Sequence, residues 1–164
     1  MKKLFILAAA LSTCPAFAAL DVREVQLGGK EREIRQKFPS AHCKALEWKS
    51  KAADRRCDDS RASIGGVKAR ITFYLRKDAV EAFDVRFDTG DLERFVEALK
   101  KSFGKPQSEG RQKVERDGKP AREFYRAQWK QGNAQAMLRA ETGKRRGTLL
   151  VYRGNFEEEI YRVR

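Results

Sequence analysis

"RITFYLRKDAVEAFDVRF", residues 70–87, is the stretch on which the fold turns. Ile71, Phe73 and Leu75 alternate with Arg70, Thr72, Tyr74 and Arg76, and Phe83, Val85 and Phe87 alternate with Asp84 and Arg86. A period of two sends the apolar set to one side of a strand and the arginine-rich set to the other. Arg76-Lys77-Asp78 between the two runs reads as a hairpin turn. The stretch is therefore an antiparallel hairpin with one apolar face to cover.

The cover is supplied next along the chain. In DLERFVEALKKSF, residues 91–103, Leu92, Phe95, Val96, Leu99 and Phe103 form one helical stripe. Thr89 or Asp91 suits the start, Lys100 and Lys101 the negative end, and Gly104 with Pro106 stops the helix. A shorter helix is expected from Lys30 to Phe38, with Ile34 and Phe38 on one face and Pro39 after it. Beyond the long helix, strands are expected at 112–116, 122–129, 134–141 and 148–153, separated by turns at Asp117-Gly118, Gln131-Gly132-Asn133 and Thr142-Gly143. Leu150 and Tyr152 can face either way, and residues 155–164 read as an edge strand or a tail.

The order is helix, hairpin, helix, meander. It predicts the α+β class, with one antiparallel sheet and two helices packed on one of its faces. Both helices close on a similar signature, Phe38-Pro39 and Phe103-Gly104-Lys105-Pro106, which suggests two α-plus-hairpin units over about 24–88 and 89–153 within one domain at 19–164.

Leu27-Gly28-Gly29-Lys30, with Glu33-Ile34 and Phe38-Pro39, resembles the "L-G-x-x-x-x-E-V/I-x-x-x-F-P" opening of small proteobacterial envelope proteins of the SmpA/BamE type. Their helix-plus-sheet unit is similar in turn to the tandem repeats of the β-lactamase inhibitor protein. About 15 residues carry the match. Both families act by binding proteins, so the resemblance implies a binding module and not an enzyme.

The first residues carry an address. Lys2 and Lys3 precede the apolar run Leu4 to Leu11, Pro15 breaks it, and Ala16-Phe17-Ala18 places small residues at the −3 and −1 positions of a signal-peptidase site. Eight apolar residues span about 12 Å as a helix, far short of a bilayer, and no later segment is long and apolar enough to cross one. Residues 1–18 therefore read as a cleaved leader to the periplasm or beyond. Leu11-Ser12-Thr13-Cys14 is an alternative lipobox that would anchor the chain through Cys14, although Thr13 stands where Gly, Ala or Ser is usual.

Cleavage removes Cys14 and leaves Cys43 and Cys57, an even pair in an oxidising compartment. A disulfide is expected, closing a polar loop that has little else to hold it. His42 is the sole histidine, so a four-ligand zinc site lacks its ligands, and no metal or other cofactor is expected.

With 36 Lys and Arg against 23 Asp and Glu the chain carries +13, or about +11 without Lys2 and Lys3. Such a charge bears on partners. The basic residues are scattered, with dense runs only at Arg55-Arg56 and Lys144-Arg145-Arg146. No nucleic-acid motif accompanies them, so nucleic acid is not expected as a partner. Nor is there a Ser-His or Cys-His couple, a G-x-S-x-G motif, a Walker loop or a ligand cluster. The adjacent acids Asp58-Asp59 and 157–159 read as solvated.

Alternation gives the candidate site. If the apolar strand residues face the helices, Tyr74, Arg76, Arg86, Arg122, Phe124, Arg126 and Arg139 face outward, with Arg70, Thr72, Gln128 and Met137 beside them. Arginine mixed with aromatic residues suits a protein interface; the plain alternative is a wet sheet face with arginine stems over apolar neighbours. The expected function is non-enzymatic binding of an acidic periplasmic protein. The second reading is an anionic envelope polymer, lipopolysaccharide or peptidoglycan, on the same arginines.

Overall fold

About half of the described residues lie in β-strands. In the computed structural model, which describes residues 20–162, the elements in chain order are β1 (Asp21–Val22), β2 (Val25–Gln26), α1 (Glu31–Lys37), β3 (His42–Ala45), β4 (Arg55–Ile64), β5 (Val67–Arg76) and β6 (Ala79–Phe87). A single 3-10 turn at Thr89–Asp91 leads to α2 (Leu92–Phe103). Then come β7 (Ser108–Arg116), β8 (Lys119–Gln131), β9 (Ala134–Glu141), β10 (Gly147–Arg153) and α3 (Phe156–Glu159). The expected leader at 1–18, with Cys14, lies outside the described residues.

Eight strands form one antiparallel sheet in the order β3-β4-β5-β6-β10-β9-β8-β7. Each of α1 and α2 precedes a four-stranded meander, and the last strands of the two meanders, β6 and β10, pair at the centre. This corrects the expected α+β class. The chain is a large sheet carrying small helices of seven, twelve and four residues, not a two-helix α+β packing.

The difference lies in β3 and β4, which apolar alternation does not mark. In β4 the inward positions hold Cys57, Asp59, Ala62 and Ile64, and a bulge between Asp59 and Ala62 shifts the register. Asp59 is buried, and it is satisfied there. Its carboxylate accepts from the Ser40 hydroxyl at 2.7 Å and from the Arg61 N–H at 2.8 Å. A polar inward residue plus a bulge breaks the period of two, so the strand is invisible to pattern reading.

The expected β5–β6 hairpin turns through two residues. Lys77 and Asp78 both take left-handed φ, 50° and 63°, which matches the twist of a two-residue turn between β5 and β6. Gly65 and Gly66 do the same between β4 and β5. At Gly65 a Cβ would come within 2.1 Å of the Ala98 Cβ, so the turn also needs glycine to lie against α2.

The larger core lies on one face of the sheet. Phe95 stacks on Phe87 with ring centroids 4.1 Å apart, Phe38 meets Phe73 edge-on at 5.1 Å, and Trp129 donates its indole N–H to the Gly104 carbonyl at 2.8 Å. Leu149 and Val151 also point here and are fully buried.

A second, smaller core lies elsewhere. The C-terminal segment is neither edge strand nor tail. It forms α3, whose Phe156, with the following Ile160, packs on Ala82, Tyr152, Tyr74 and Leu150 together with Trp48. Trp48 donates its indole N–H to the Ile160 carbonyl at 3.0 Å, and the Ser50 hydroxyl donates to the Glu159 carbonyl at 3.1 Å. No helix among the described residues is long and apolar enough to cross a membrane.

Candidate functional site: an arginine row on the outward sheet face

Register, not sequence proximity, assembles the site. Arg70 stands opposite Arg86 between β5 and β6, Arg86 opposite Thr148 between β6 and β10, Thr148 opposite Arg139 between β10 and β9, and Arg139 opposite Arg126 between β9 and β8. The result is one row across five adjacent strands, about 19 Å wide at ordinary strand spacing. Arg70, Arg86, Arg139 and Arg126 are all exposed, and their face is the one turned away from Phe73, Val85 and Leu138.

Arg70–Arg86 and Arg126–Arg139 are like charges placed directly opposite each other, an arrangement that destabilises a sheet. Little offsets it. Arg86 Nε donates to Asp84 at 3.1 Å, and Arg139 comes within 3.5 Å of Glu157 on α3. Arg70 and Arg126 have no ion-pair partner among the described residues. Burial holds the Asp84 carboxyl above the ordinary carboxylate range, against the pull of Arg86.

The other expected site residues are dispersed. Arg122 is neutralised by a bidentate pair with Glu141, the second bond at 2.8 Å, and its guanidinium lies 5.6 Å over the Phe124 ring. Arg76 pairs with Ala79 next to the turn, beyond an irregularity at Tyr74–Leu75, and so lies at the far end of the strand from the row. Tyr74 is withdrawn into the smaller core, its ring 5.3 Å from that of Phe156, and burial pushes its hydroxyl up to about 12. The aromatic part of the expected face is thus largely covered, and what remains is arginine.

Beside the row, Tyr74, Leu150, Met137, Phe156 and Ile160 wall a cavity of about 250 Å³ with Arg86 and Arg139 at its rim. Asp84 and Glu157 sit with them, so this cavity has no net charge to offer an ion.

Asp58, Asp59, Glu157 and the two cysteines are each engaged within the protein. Asp58 and Asp59 point to opposite faces of β4. Asp58 pairs with Arg56 at 3.0 Å and accepts from the Thr72 hydroxyl at 2.7 Å. Glu157 accepts from the Tyr152 hydroxyl at 3.3 Å. Cys43 and Cys57 face each other across β3 and β4 and are joined as a disulfide. Their sulfurs lie near the Glu31 carboxylate, but a disulfide offers a metal no thiolate.

Two groups escaped sequence reading. Thr148, at the centre of the row, carries no charge, so its residue type does not mark it as a site. Arg61, Lys68, Arg145 and Arg146 gather at one end of the row around an open cleft. The Lys144-Arg145-Arg146 run was visible, but its neighbours required the register of β4.

No family model matches this chain, and no curated protein matches it. Among solved structures it is similar to a DUF4309-family protein, YjgB, of Bacillus subtilis, at 11% identity and a TM-score of 0.38, over 80% of this chain and 84% of that one.

Proposed function

We propose that the protein is a non-enzymatic binding module of the periplasm or cell exterior that presents its outward sheet face to an acidic protein partner. The observation that carries this reading is the row Arg70–Arg86–Thr148–Arg139–Arg126, with its two opposed like-charge pairs. Positive charges set side by side cost stability in the free protein, and a complementary acidic surface recovers that cost on binding. The same function class is what the resemblance to envelope proteins of the SmpA/BamE type and to the β-lactamase inhibitor protein implies. The leader-like residues 1–18 and the Cys43–Cys57 disulfide support the address.

The test is capture from periplasmic extract at low and high salt, with wild type beside an Arg126→Glu/Arg139→Glu variant. A discrete acidic protein retained by wild type at low salt and lost with the variant is the expected result. Retention in wall or outer-membrane fractions, with no protein partner, would instead favour the envelope-polymer reading.

A further inference from the structure

One end of the arginine row opens into a cleft that none of the seven expected site residues except Arg86 had marked. Arg61, Lys68, Arg70, Arg86, Arg145 and Arg146 line an open cavity of about 860 Å³, with the hydroxyl-bearing Ser60 and Ser63 among them and Asp88 as the sole acidic residue of the lining. Four separate pieces of the chain supply these cations. Arg61 sits in the β4 bulge, which the Asp59 carboxylate fixes by accepting the Arg61 N–H. Lys68 and Arg70 alternate on β5, with Arg70 opposite Arg86 of β6. Arg145 and Arg146 come from the β9–β10 connection, which is tied down where the Thr89 hydroxyl donates to the Lys144 carbonyl.

The cations are available. Arg86 alone of the six has an ion pair, with Asp84; the other five have none among the described residues. The Asp88 carboxylate accepts the Gly90 N–H at 2.9 Å and keeps its charge, so five unpaired cations stand against one carboxylate in the lining.

We propose that this cleft binds a ligand carrying two or more phosphate groups. Charge density decides the class. A phosphate group brings about −1.5 to −2 charges at neutral pH, so two or three of them neutralise that excess of positive charge within a cavity of ordinary ligand size. Carboxylates would need about one group for each cation, spread over a larger volume. Guanidinium forks match phosphate oxygens in pairs, and serine hydroxyls add donors. The cleft also lacks what a protein anchor requires. Phe87 is the only aromatic residue in the lining, and its side chain is buried beneath Phe95.

This site goes beyond the acidic-protein reading. It shares Arg70 and Arg86 with the row but depends on Arg61, Lys68, Arg145 and Arg146, which the row does not use.

The experiment titrates the whole protein with inorganic tripolyphosphate by calorimetry at near-physiological ionic strength, where diffuse surface attraction is largely screened beyond about 8 Å. A parallel arm measures binding to phosphatidylcholine vesicles with and without a bis-phosphorylated lipid. One saturable site is expected. Arg145→Ala/Arg146→Ala, both exposed and outside the cores, should weaken it at least about tenfold, and Arg126→Ala/Arg139→Ala should leave it within about twofold. Binding of tripolyphosphate alone assigns a soluble ligand, and binding in the vesicle arm assigns a headgroup. No saturable binding in either arm, or equal weakening by the two double variants, would overturn the proposal. Tripolyphosphate binding that persists while an acidic partner fails to bind would leave this site standing and remove the acidic-protein reading alone.

Discussion

Arg126 of β8 and Arg139 of β9 occupy one cross-strand position on the same face of the sheet. Two cations placed this way act against folding, by a few tenths of a kcal/mol up to about 1 kcal/mol. Replacing Arg126 with threonine keeps strand propensity and removes the repulsion, so urea unfolding should show stability unchanged or raised by a few tenths of a kcal/mol. A loss of more than about 1 kcal/mol would mean that Arg126 is held by contacts that offset the repulsion.

Glu31 joins the first helix to β4, the strand next to the edge strand β3. Arg55 Nε donates to its Oε2 at 2.8 Å, and Arg35 donates to Oε1 at 2.8 Å from the next helical turn. The hydrogen bond from Arg55 is the main cause that holds the Glu31 carboxyl below its ordinary value of 4.5, against an opposing effect of burial. A lowered folded-state value means the stabilisation is full above about 4.5 and is lost as pH falls through the lower folded value. Glu31→Gln should therefore cost about 1–2 kcal/mol at neutral pH, with the difference from wild type shrinking below pH 4.5. A difference that stays constant down to the acid limit would show that charge is not the cause.

The disulfide closes a 14-residue separation between an edge strand and its neighbour. The enclosed segment contributes Trp48, Ala52 and Ala53 to the smaller core, so its ordering and α3 are coupled. Reduction, or Cys43→Ala/Cys57→Ala, should lower stability by about 2–3 kcal/mol. Hydrogen exchange should then rise first in 43–57 and in α3, and last in β5 and β6. Intact mass should gain two daltons on reduction, with no alkylation of Cys43 or Cys57 beforehand.

Gly65 has both a left-handed φ of 56° and the Ala98 Cβ in the place its own Cβ would take. Gly65→Ala should destabilise by about 1–3 kcal/mol. Ala98→Gly relieves the clash but not the dihedral, so adding it should return part of the loss, after allowing for its own helix cost of about 1 kcal/mol. Strict additivity of the two would show that the turn moves away from α2.

The legible parts of this chain were those in which one physical signal acts alone. The stripe of Leu92, Phe95, Val96, Leu99 and Phe103 marks α2 because nothing interrupts it. The alternation of β5 and β6 sorts Arg70, Arg86 and their neighbours outward for the same reason. Cys43 and Cys57 form the disulfide expected of the pair that remains once Cys14 is assigned to a leader.

Hidden features arose where two effects overlap. β4 carries a buried aspartate and a bulge, so its polar pattern reads as loop. Sheet order depends on which strand edges meet, and the β6–β10 pairing at the centre has no local signature. Placing the outward residues Arg76, Arg122, Arg126 and Arg139 relative to one another needs that order. Alternation assigns a face but not a position along it, which is why only Arg126 and Arg139 are adjacent. The docking of α3 was illegible because Phe156 and Ile160 are too few to show a period.

The central claim is that the row recognises acidic protein through its aligned arginines. Its most direct measurement is the affinity of a glutamate-rich peptide for wild type and for Arg86→Ala/Arg126→Ala/Arg139→Ala, across a range of salt concentrations. A Lys113→Ala/Lys119→Ala variant on the exposed β7–β8 hairpin serves as the charge control. The account predicts at least about tenfold weaker binding and a shallower salt dependence for the row variant, with the hairpin variant close to wild type. Equal affinity in the row variant and wild type, or equal losses in both variants, would contradict it.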